Sequence, residues 1–187
     1  MFQFYCIFGR CTRAHSLKHK FLYASRNHMD VIVVSKLSAT DWKEALTKLC
    51  RYAVNNGYAK KTLVDAILDR EKRCPTGFPL DGHRGVALPH EDVVHAKKPL
   101  IIIAKPTSPL LFGRIDNAEK EIEALLIILV IVNDVKRYLN TIEKLTPLLK
   151  DIKLVEKIRK MNLPELKQEM LSSLGEEFAR FEIVELS

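Results

Sequence analysis

The sequence predicts an α/β domain of three layers, in which helices cover both faces of a β-sheet. Two apolar runs, residues 100–104 and 125–132, contain no charged side chain, so a strand formed by either run would be apolar on both faces. Such strands need cover on both sides, and segments with helical spacing of apolar residues precede and follow them. The composition, 47% hydrophobic and 28% charged, is typical of a globular chain with one core.

The first elements are predicted to form a strand followed by two helices. The domain is expected to begin at Met29, directly before the β-branched run of residues 31–34, which predicts a buried strand. Residues 38–41, Ser-Ala-Thr-Asp, form a helix start signal, and this helix is expected to end at the Asn-Gly pair of residues 56–57. A second helix is predicted over residues 60–72. The apolar faces of the two helices comprise Trp42, Ala45, Leu46, Leu49, Ala53, Leu63, Ala66 and Ile67.

The middle of the chain is predicted to supply the remaining strands. Proline and glycine at positions 75, 77, 79 and 82 indicate a loop without regular structure. After it, residues 86–88, 100–104 and 125–132 are the predicted strands.

Helical patterns fill the chain from Asp134 onward. The last predicted helix begins at Asn162, has Pro164 in its first turn and ends at Gly175. Residues 176–187 fit either a strand or a further helix. The two earlier helices are marked by Leu139, Ile142, Leu145 and Leu149, and by Ile152, Val155 and Ile158.

The positive charge of the chain is unevenly distributed. Residues 1–28 contain five basic residues and no acidic one, which leaves a net charge of +2 out of +7 for the remaining 159 residues. A basic pI would otherwise indicate nucleic-acid binding, but the nearly balanced domain is not expected to bind nucleic acid. We therefore expect a basic N-terminal extension over residues 1–28, disordered or not native, and a folded domain over residues 29–187.

The cysteines and apolar runs indicate a cytoplasmic protein. Arg10 interrupts the short apolar start, so no secretory signal is recognised and the four cysteines are expected to be reduced. The longest apolar run, residues 124–132, has about half the length of a membrane-spanning helix. The extension contains four competent zinc ligands, but their central spacer is far shorter than that of a zinc finger, so no metal is expected. These residues are Cys6, Cys11, His15 and His19.

The polar segment of residues 70–92 is where we expect the functional site, because it joins a helix to a buried strand. His90 follows the predicted strand through Pro89, whose fixed φ restricts how the ring is presented. A carbonyl bound to one ring nitrogen would leave the other unprotonated and nucleophilic. On these residues alone, a structural histidine hydrogen-bonded at a strand end is the stronger interpretation. The sequence contains no glycine-rich phosphate loop, serine triad pattern or paired-histidine metal motif.

Three segments carry a family resemblance when they are taken together. Residues 70–77 contain Arg-Glu and Pro-Thr-Gly, residues 85–90 read Gly-Val-Ala-Leu-Pro-His, and residues 109–116 read Pro-Leu-Leu-Phe-Gly-Arg-Ile-Asp. This set resembles the fructose/mannitol/galactitol type of enzyme IIA of the bacterial sugar phosphotransferase system, and the Pro-Thr-Gly element is most similar to the galactitol-type branch. The resemblance extends from about Val31 to Gly175 and implies a three-layer α/β/α fold around a small mixed sheet.

The resemblance also implies an activity and its residues. His90 matches the histidine that accepts a phosphoryl group from the phosphocarrier protein HPr, through Nε2, and passes it to a cysteine of enzyme IIB. The membrane component, enzyme IIC, is then an indirect partner, and neither cofactor nor metal is implied. Arg70 matches the arginine that approaches the phosphoryl group, whose three oxygens suit a forked cationic donor. In the alternative interpretation Arg70 interacts with the C-terminus of its own helix.

The chain departs from the family pattern at one position of the site. Mannitol- and fructose-like members have a second histidine at the start of the helix after the long buried strand, whereas residues 133–140 here contain none. Tyr138 or Asn140 could offer a hydrogen bond there, and neither is assigned that role. His95 is expected to be a solvated loop residue, and His83 to lie on the surface, with the lining of the pocket as its alternative.

Three functions are considered, in order of preference. The first is a phosphoryl carrier in the uptake of a sugar or sugar alcohol. The second is a regulatory protein of the same fold, of the nitrogen-related type, whose phosphorylated state is recognised by partner proteins. The third is anchoring to nucleic acid or an anionic surface through residues 1–28. The sugar itself is not predicted, because selectivity for it lies in the membrane component.

Overall fold

The computed structural model describes residues 29–147, 149–174 and 178–187. The predictions made for the basic extension of residues 1–28, including its four candidate zinc ligands, lie outside the described residues. The predicted helix stop at Gly175 lies outside them as well.

Among the described residues, seven strands form one mixed sheet. They are β1 (Met29–Leu37), β2 (Gly77–Pro79), β3 (Arg84–Ala87), β4 (Leu100–Pro106), β5 (Leu111–Gly113), β6 (Glu121–Ile131) and β7 (Phe178–Leu186). The strand order is β2-β3-β6-β4-β1-β7, and β5 pairs with the first residues of β6. β1 runs parallel to both β4 and β7, and β3 runs parallel to β6, whereas β6 is antiparallel to β4. The long strand β6 therefore joins two parallel groups of strands that run in opposite directions.

Within the described ranges, five α-helices cover the sheet on both faces. They are α1 (Trp42–Asn55), α2 (Leu63–Arg73), α3 (Val135–Leu145), α4 (Ile152–Lys160) and α5 (Leu163–Leu174). α1 and α2 pack on the face that presents Ile32, Ile102 and Leu129, and α3 to α5 pack on the opposite face. The predicted three-layer α/β/α fold with a mixed sheet is thus confirmed. Among the described residues, no helix is both long enough and apolar enough to cross a membrane.

The helix boundaries follow from local side-chain chemistry. The Asp41 carboxylate accepts a hydrogen bond from the Glu44 backbone N–H at 2.8 Å, and Glu44 accepts one from the Thr40 N–H in return. The first bond satisfies an N–H group that the helix leaves without a partner, and the second ties the residue before the N-cap to the first turn. α1 ends at the predicted place, where Gly57 adopts a φ of +78° that only glycine tolerates without strain.

The prediction that residues 75–82 exclude regular structure is wrong. Residues Gly77–Pro79 form β2, which pairs antiparallel with β3. Gly85 permits this pairing, because a Cβ atom there would lie 1.9 Å from the Phe78 carbonyl oxygen. Glycine here allows two backbones to approach closely, which is its other common use in strands.

Two further expectations are corrected or settled in the second half of the chain. Leu139 was expected on the buried face of α3 but is 61% exposed, and α3 ends at Leu145 so that Leu149 lies in the following turn. The undecided tail forms β7, which adds to the free edge of β1. For the tail, a periodic apolar pattern alone does not distinguish a strand from a helix, because an edge strand is covered on fewer sides than a central strand.

Candidate active site

His90 lies at the carboxyl end of β3, where side chains from helices on both faces of the sheet can reach it. The Pro89 carbonyl accepts a hydrogen bond of 3.1 Å from the Val130 N–H, and His90 forms an isolated parallel bridge with Val130. The backbone before the histidine is therefore held in register with β6. The fixed φ of Pro89 restricts this segment further, so the imidazole is attached to a rigid part of the sheet.

The two ring nitrogens of His90 have partners of opposite character. Nδ1 lies 2.9 Å from the Leu88 carbonyl oxygen, and Nε2 lies 2.7 Å from Nη2 of Arg70. A carbonyl can only accept and a guanidinium can only donate, so the proton resides on Nδ1 and the lone pair on Nε2. The predicted hydrogen bond between one ring nitrogen and a backbone carbonyl is observed, and the other nitrogen, Nε2, is left unprotonated with its lone pair directed at Arg70.

Arg70 reaches the histidine from the last turn of α2. Its Nε atom is buried and has no hydrogen-bond partner among the described residues. In the same turn, Arg73 donates to the Asp69 carbonyl at 3.3 Å, so Arg73 is the side chain that binds a carbonyl at this helix end. The Arg70 guanidinium is thus directed to His90, at the cost of one unsatisfied donor.

The electrostatic environment favours the neutral imidazole. Burial lowers the pKa of His90 below its ordinary value, and the positive charge of Arg70 lowers it further. The hydrogen bond to Leu88 and the Glu91 carboxylate act in the opposite direction but do not outweigh burial. A neutral ring at physiological pH keeps the Nε2 lone pair available.

A cavity of about 360 Å³ opens beside the histidine ring. Tyr138 enters from the first turns of α3, on the opposite face of the sheet from α2, and its ring centroid lies 5.2 Å from that of His90 at a tilt of 37°. Burial raises the pKa of Tyr138, and the charge of Arg70 opposes this rise. The two helical layers therefore each contribute one side chain to the ring of His90. Besides His90, the cavity is lined by Arg70, Glu91, Asp92, Val93, Val135 and Tyr138.

The other residues considered from the sequence lie away from this cavity. His83 is exposed, as expected, and does not line the cavity. His95 lies between β3 and β4, in the 3-10 turn Val93–His95, and is partly exposed, as expected of a loop residue, with its Nδ1 2.9 Å from the Thr62 hydroxyl. Asn140 is exposed and does not line the cavity, so of the two residues considered there only Tyr138 meets His90, and it does so through a ring contact.

A buried polar pair that is not among the residues predicted from the sequence lies behind the site. Glu71 and Thr76 are two of the three buried polar or charged residues in the described ranges. Glu71 accepts hydrogen bonds from the Thr76 N–H at 2.9 Å and the Thr76 hydroxyl at 2.8 Å. Burial raises the pKa of Glu71, although these bonds and the nearby Arg70 partly counteract it. The signal was present in the spacing, because Glu71 continues the buried stripe of Leu63 and Ile67 at intervals of four residues.

A larger cavity of about 570 Å³ lies between α4 and α5. It contains the ion pair of Lys157 with Glu169, whose charged atoms are 2.9 Å apart, and neither His90 nor Arg70 borders it. Its mixed charges neutralise each other and present no activated nucleophile. The smaller cavity at His90 is therefore the candidate active site.

Comparison with known proteins gives a family match over most of the chain. Residues 27–173 match the model of the family described as "Phosphoenolpyruvate-dependent sugar phosphotransferase system, EIIA 2". The galactitol-specific EIIA component of the PTS system from Escherichia coli K12 is 29% identical over 136 residues, which cover 73% of this chain and 88% of that protein.

Solved structures show the same fold. Enzyme IIAMTL from Escherichia coli, solved in complex with phosphorylated enzyme IIBMTL, matches with a TM-score of 0.59 and 23% identity over 75% of this chain and 93% of that one. The nitrogen regulatory protein IIA-Ntr from Neisseria meningitidis matches with a TM-score of 0.59 and 19% identity over 80% of this chain and 99% of that one. At these identities the similarity establishes the architecture that surrounds the cavity.

Proposed function

The chain belongs to the EIIA 2 family of the phosphoenolpyruvate-dependent sugar phosphotransferase system, a family of phosphoryl carriers, and we propose that His90 is its phosphoryl acceptor. In this proposal the protein takes the phosphoryl group from phospho-HPr and passes it to a cysteine of enzyme IIB, for the uptake of a sugar or sugar alcohol. The supporting observation is the pair of contacts that leaves the lone pair of His90 on Nε2, facing Arg70.

The first transfer forms one bond and breaks one. The Nε2 lone pair attacks phosphorus while the bond from phosphorus to the donor breaks, and the electron pair of that bond remains with the donor. The ring of His90 then bears a proton on Nδ1 and phosphorus on Nε2, so it is cationic. The Leu88 carbonyl, 2.9 Å from Nδ1, stabilises this charge. In the second transfer a thiolate attacks phosphorus and neutral imidazole leaves.

Arg70 supplies the positive charge that the phosphoryl oxygens need. Phosphoryl transfer spreads negative charge over three equatorial oxygens, and catalysis relies on positioned donors. Arg70 has a permanent charge and a forked set of N–H groups, which binds such oxygens in a defined geometry. Its position beside Nε2 brings these donors next to the attacking atom.

The surface around the cavity suits a protein partner. Val135 lines the cavity and is 62% exposed, and Leu139, one turn later on the same face of α3, is 61% exposed. Large exposed apolar side chains next to a reactive group are typical of a contact surface that is buried only in a complex. One of the solved relatives was captured with a phosphorylated enzyme IIB, which supports enzyme IIB as the acceptor here.

The relatives favour the transport role over the regulatory alternative. The galactitol-specific proteins match 73% of this chain at 29% identity, whereas the nitrogen regulatory protein shares 19% identity and indicates the fold alone. We place the protein in the cytoplasm, where HPr and enzyme IIB are expected to meet it, with enzyme IIC as an indirect membrane partner.

The decisive experiment is phosphorylation with purified components. Incubation with phosphoenolpyruvate, enzyme I and HPr should add one phosphate per chain, labile in acid and stable in base, and mass spectrometry should locate it on His90. His90→Ala should remain folded and unlabelled, whereas His83→Ala, which changes an exposed histidine outside the cavity, should label fully. Addition of enzyme IIB should then remove the label. Full labelling of His90→Ala would refute the assignment.

A further inference from the structure

A closed path of hydrogen bonds and covalent backbone links connects Arg70 to His90 through the protein interior. Glu71, which follows Arg70 on α2, accepts from both the N–H and the hydroxyl of Thr76. The Thr76 carbonyl accepts from the Leu88 N–H at 3.1 Å, and the Leu88 carbonyl binds Nδ1 of His90 at 2.9 Å. The direct contact of Arg70 with Nε2 closes the circuit.

Burial of the Glu71 carboxylate is energetically unfavourable, so a purely structural role does not explain its presence. Glu71 is 4% exposed and Thr76 is 2% exposed, and an ionised carboxylate removed from water is unfavourable unless it is well hydrogen-bonded. An apolar side chain would fit the buried stripe of α2 without that cost. The retention of a charged acceptor at this place is explained if its geometry is used by the site.

The segment that Glu71 binds is fixed from its other side. Gly77, the residue after Thr76, packs so closely on β5 that a Cβ atom would lie 2.6 Å from the Gly113 carbonyl oxygen. The Gly77 carbonyl also accepts from the Ile115 N–H at 2.9 Å. The two bonds from Thr76 therefore tie the end of α2 to a rigid part of the sheet, and they set how far Arg70 stands from the Leu88 carbonyl.

From this circuit we propose that Glu71 is a positioning residue: through Thr76 it holds the Leu88 carbonyl on Nδ1 of His90 while its neighbour Arg70 faces Nε2. The pair keeps the proton on Nδ1 and the lone pair on Nε2. In a histidine without such a partner the proton exchanges between the two nitrogens. When the proton is on Nε2, that atom has no lone pair with which to attack. This inference rests on the proposed role of His90 as the phosphoryl acceptor.

The test compares two threonines that are both buried. Thr76→Val removes the hydroxyl that Glu71 binds, whereas Thr141→Val removes a hydroxyl that donates to the Arg137 carbonyl within α3, outside the circuit. Long-range ¹⁵N–¹H spectra of the full chain report which nitrogen of His90 carries the proton. We expect a single Nδ1–H tautomer in the unmodified protein and in Thr141→Val, and a mixture in Thr76→Val together with phosphorylation slowed by about 10-fold. Thr76→Ser, which restores the hydroxyl, should recover both.

The outcomes separate the two proposals. If Thr76→Val keeps either the tautomer or the transfer rate of Thr141→Val, the positioning role of Glu71 is overturned. If the unmodified protein is not phosphorylated on His90 by phospho-HPr, the proposed function fails, while the tautomer spectra still decide whether the circuit orients the ring. Should Thr76→Val not fold, Glu71→Gln replaces it, because the amide keeps one acceptor and the shape of the side chain. Glu71→Gln is expected to show the same mixture of tautomers, and a pure Nδ1–H tautomer in it overturns the inference.

Discussion

The Nη2 atom of Arg70 lies 2.7 Å from Nε2 of His90, on the lone pair that attacks phosphorus in the proposed function. One lone pair cannot bind an N–H group and a phosphorus atom at the same time. Arg70 therefore has to turn away from Nε2 as the phosphoryl group arrives, and its N–H groups can then bind the phosphoryl oxygens. In the resting protein the same contact shields the nucleophile from other electrophiles.

Arg70→Met should separate catalysis from stability. The methionine fills similar space and removes the buried Nε, which has no partner in the described part of the chain, so the free energy of unfolding should stay within about 1 kcal/mol or rise. Transfer should slow by roughly 100-fold or more, as for the loss of a positioned donor to a transition-state oxyanion. Thermal unfolding and rapid-quench labelling measure the two effects.

Arg70→Lys provides the matched control for charge. Lysine retains the positive charge but lacks the forked geometry, so it should recover only part of the rate. Rates in both variants equal to that of the unmodified protein would show that Arg70 is a helix-end residue alone.

The lowered pKa of His90 predicts how phosphorylation and stability depend on pH. The ring should stay neutral, and able to accept phosphate, at pH values where an ordinary histidine with a pKa of 6.5 is already protonated. Between the lowered pKa and 6.5 the unfolded chain binds a proton that the native protein does not, so stability should fall as the pH drops through this window. An NMR titration of His90 measures its pKa in the folded protein, and a value at or above 6.5 would contradict this prediction. Arg70→Met should raise the pKa of His90, because a repelling charge is removed.

The aromatic ring of Tyr138, and not its hydroxyl, should restrict the movement of the His90 imidazole. Tyr138→Ala removes the contact between rings whose centroids are 5.2 Å apart, so the imidazole gains freedom and water gains access to the phosphorylated form. We expect transfer to slow by about 10-fold and phosphate loss by hydrolysis to accelerate, with about 1–2 kcal/mol of stability lost because the ring is only half-buried. Tyr138→Phe should stay within about 3-fold of the unmodified protein. If Phe is as slow as Ala, the hydroxyl rather than the ring is responsible.

Removal of residues 1–28 should leave the domain intact. β1 begins at Met29 and is already paired on both sides, with β4 and β7, so its hydrogen bonds to neighbouring strands come from the described domain. A chain that begins at Met29 should therefore melt within about 4 °C of the full chain, which for this size corresponds to roughly 1–2 kcal/mol, and should accept phosphate at the same rate. A larger drop would show that the extension packs on the domain.

Much of the fold is predictable because it depends on local and repetitive signals. The uncharged runs that became β4 and β6 required helices on both faces, and the Asp41 start and the Gly57 stop are chemical properties of single residues. The hairpin of β2 and β3 was not predictable in the same way. Its glycines allow close approach to backbone that is remote from them in sequence, as Gly77 does to Gly113, and sequence patterns do not report such distances.

For the candidate site, the meeting of His90 and Arg70 was predictable, but the residues that surround them were not. His90 and Arg70 are drawn together, as the resemblance implied, and the hydrogen bond between them is 2.7 Å long. The approach of Tyr138 depends on how α3 packs against the opposite face of the sheet, which a single sequence does not specify. The Glu71–Thr76 pair could have been predicted, because a carboxylate on the buried face of a helix needs hydrogen-bond donors.

The parallel pairing of β1 with β7 determines how the protein can be attached to a solid support. β1 begins at the end of the sheet that carries His90, because Asp30 pairs with Leu100 and Leu100 pairs with Ile131. β7 runs away from that end and finishes at Leu186, in register with the last residue of β1, on the edge strand farthest from β3. A linker fused behind β7 therefore emerges at the far corner of the sheet. Protein immobilised through it should present His90 outward, so that binding of a partner can be recorded on a sensor surface without obstruction.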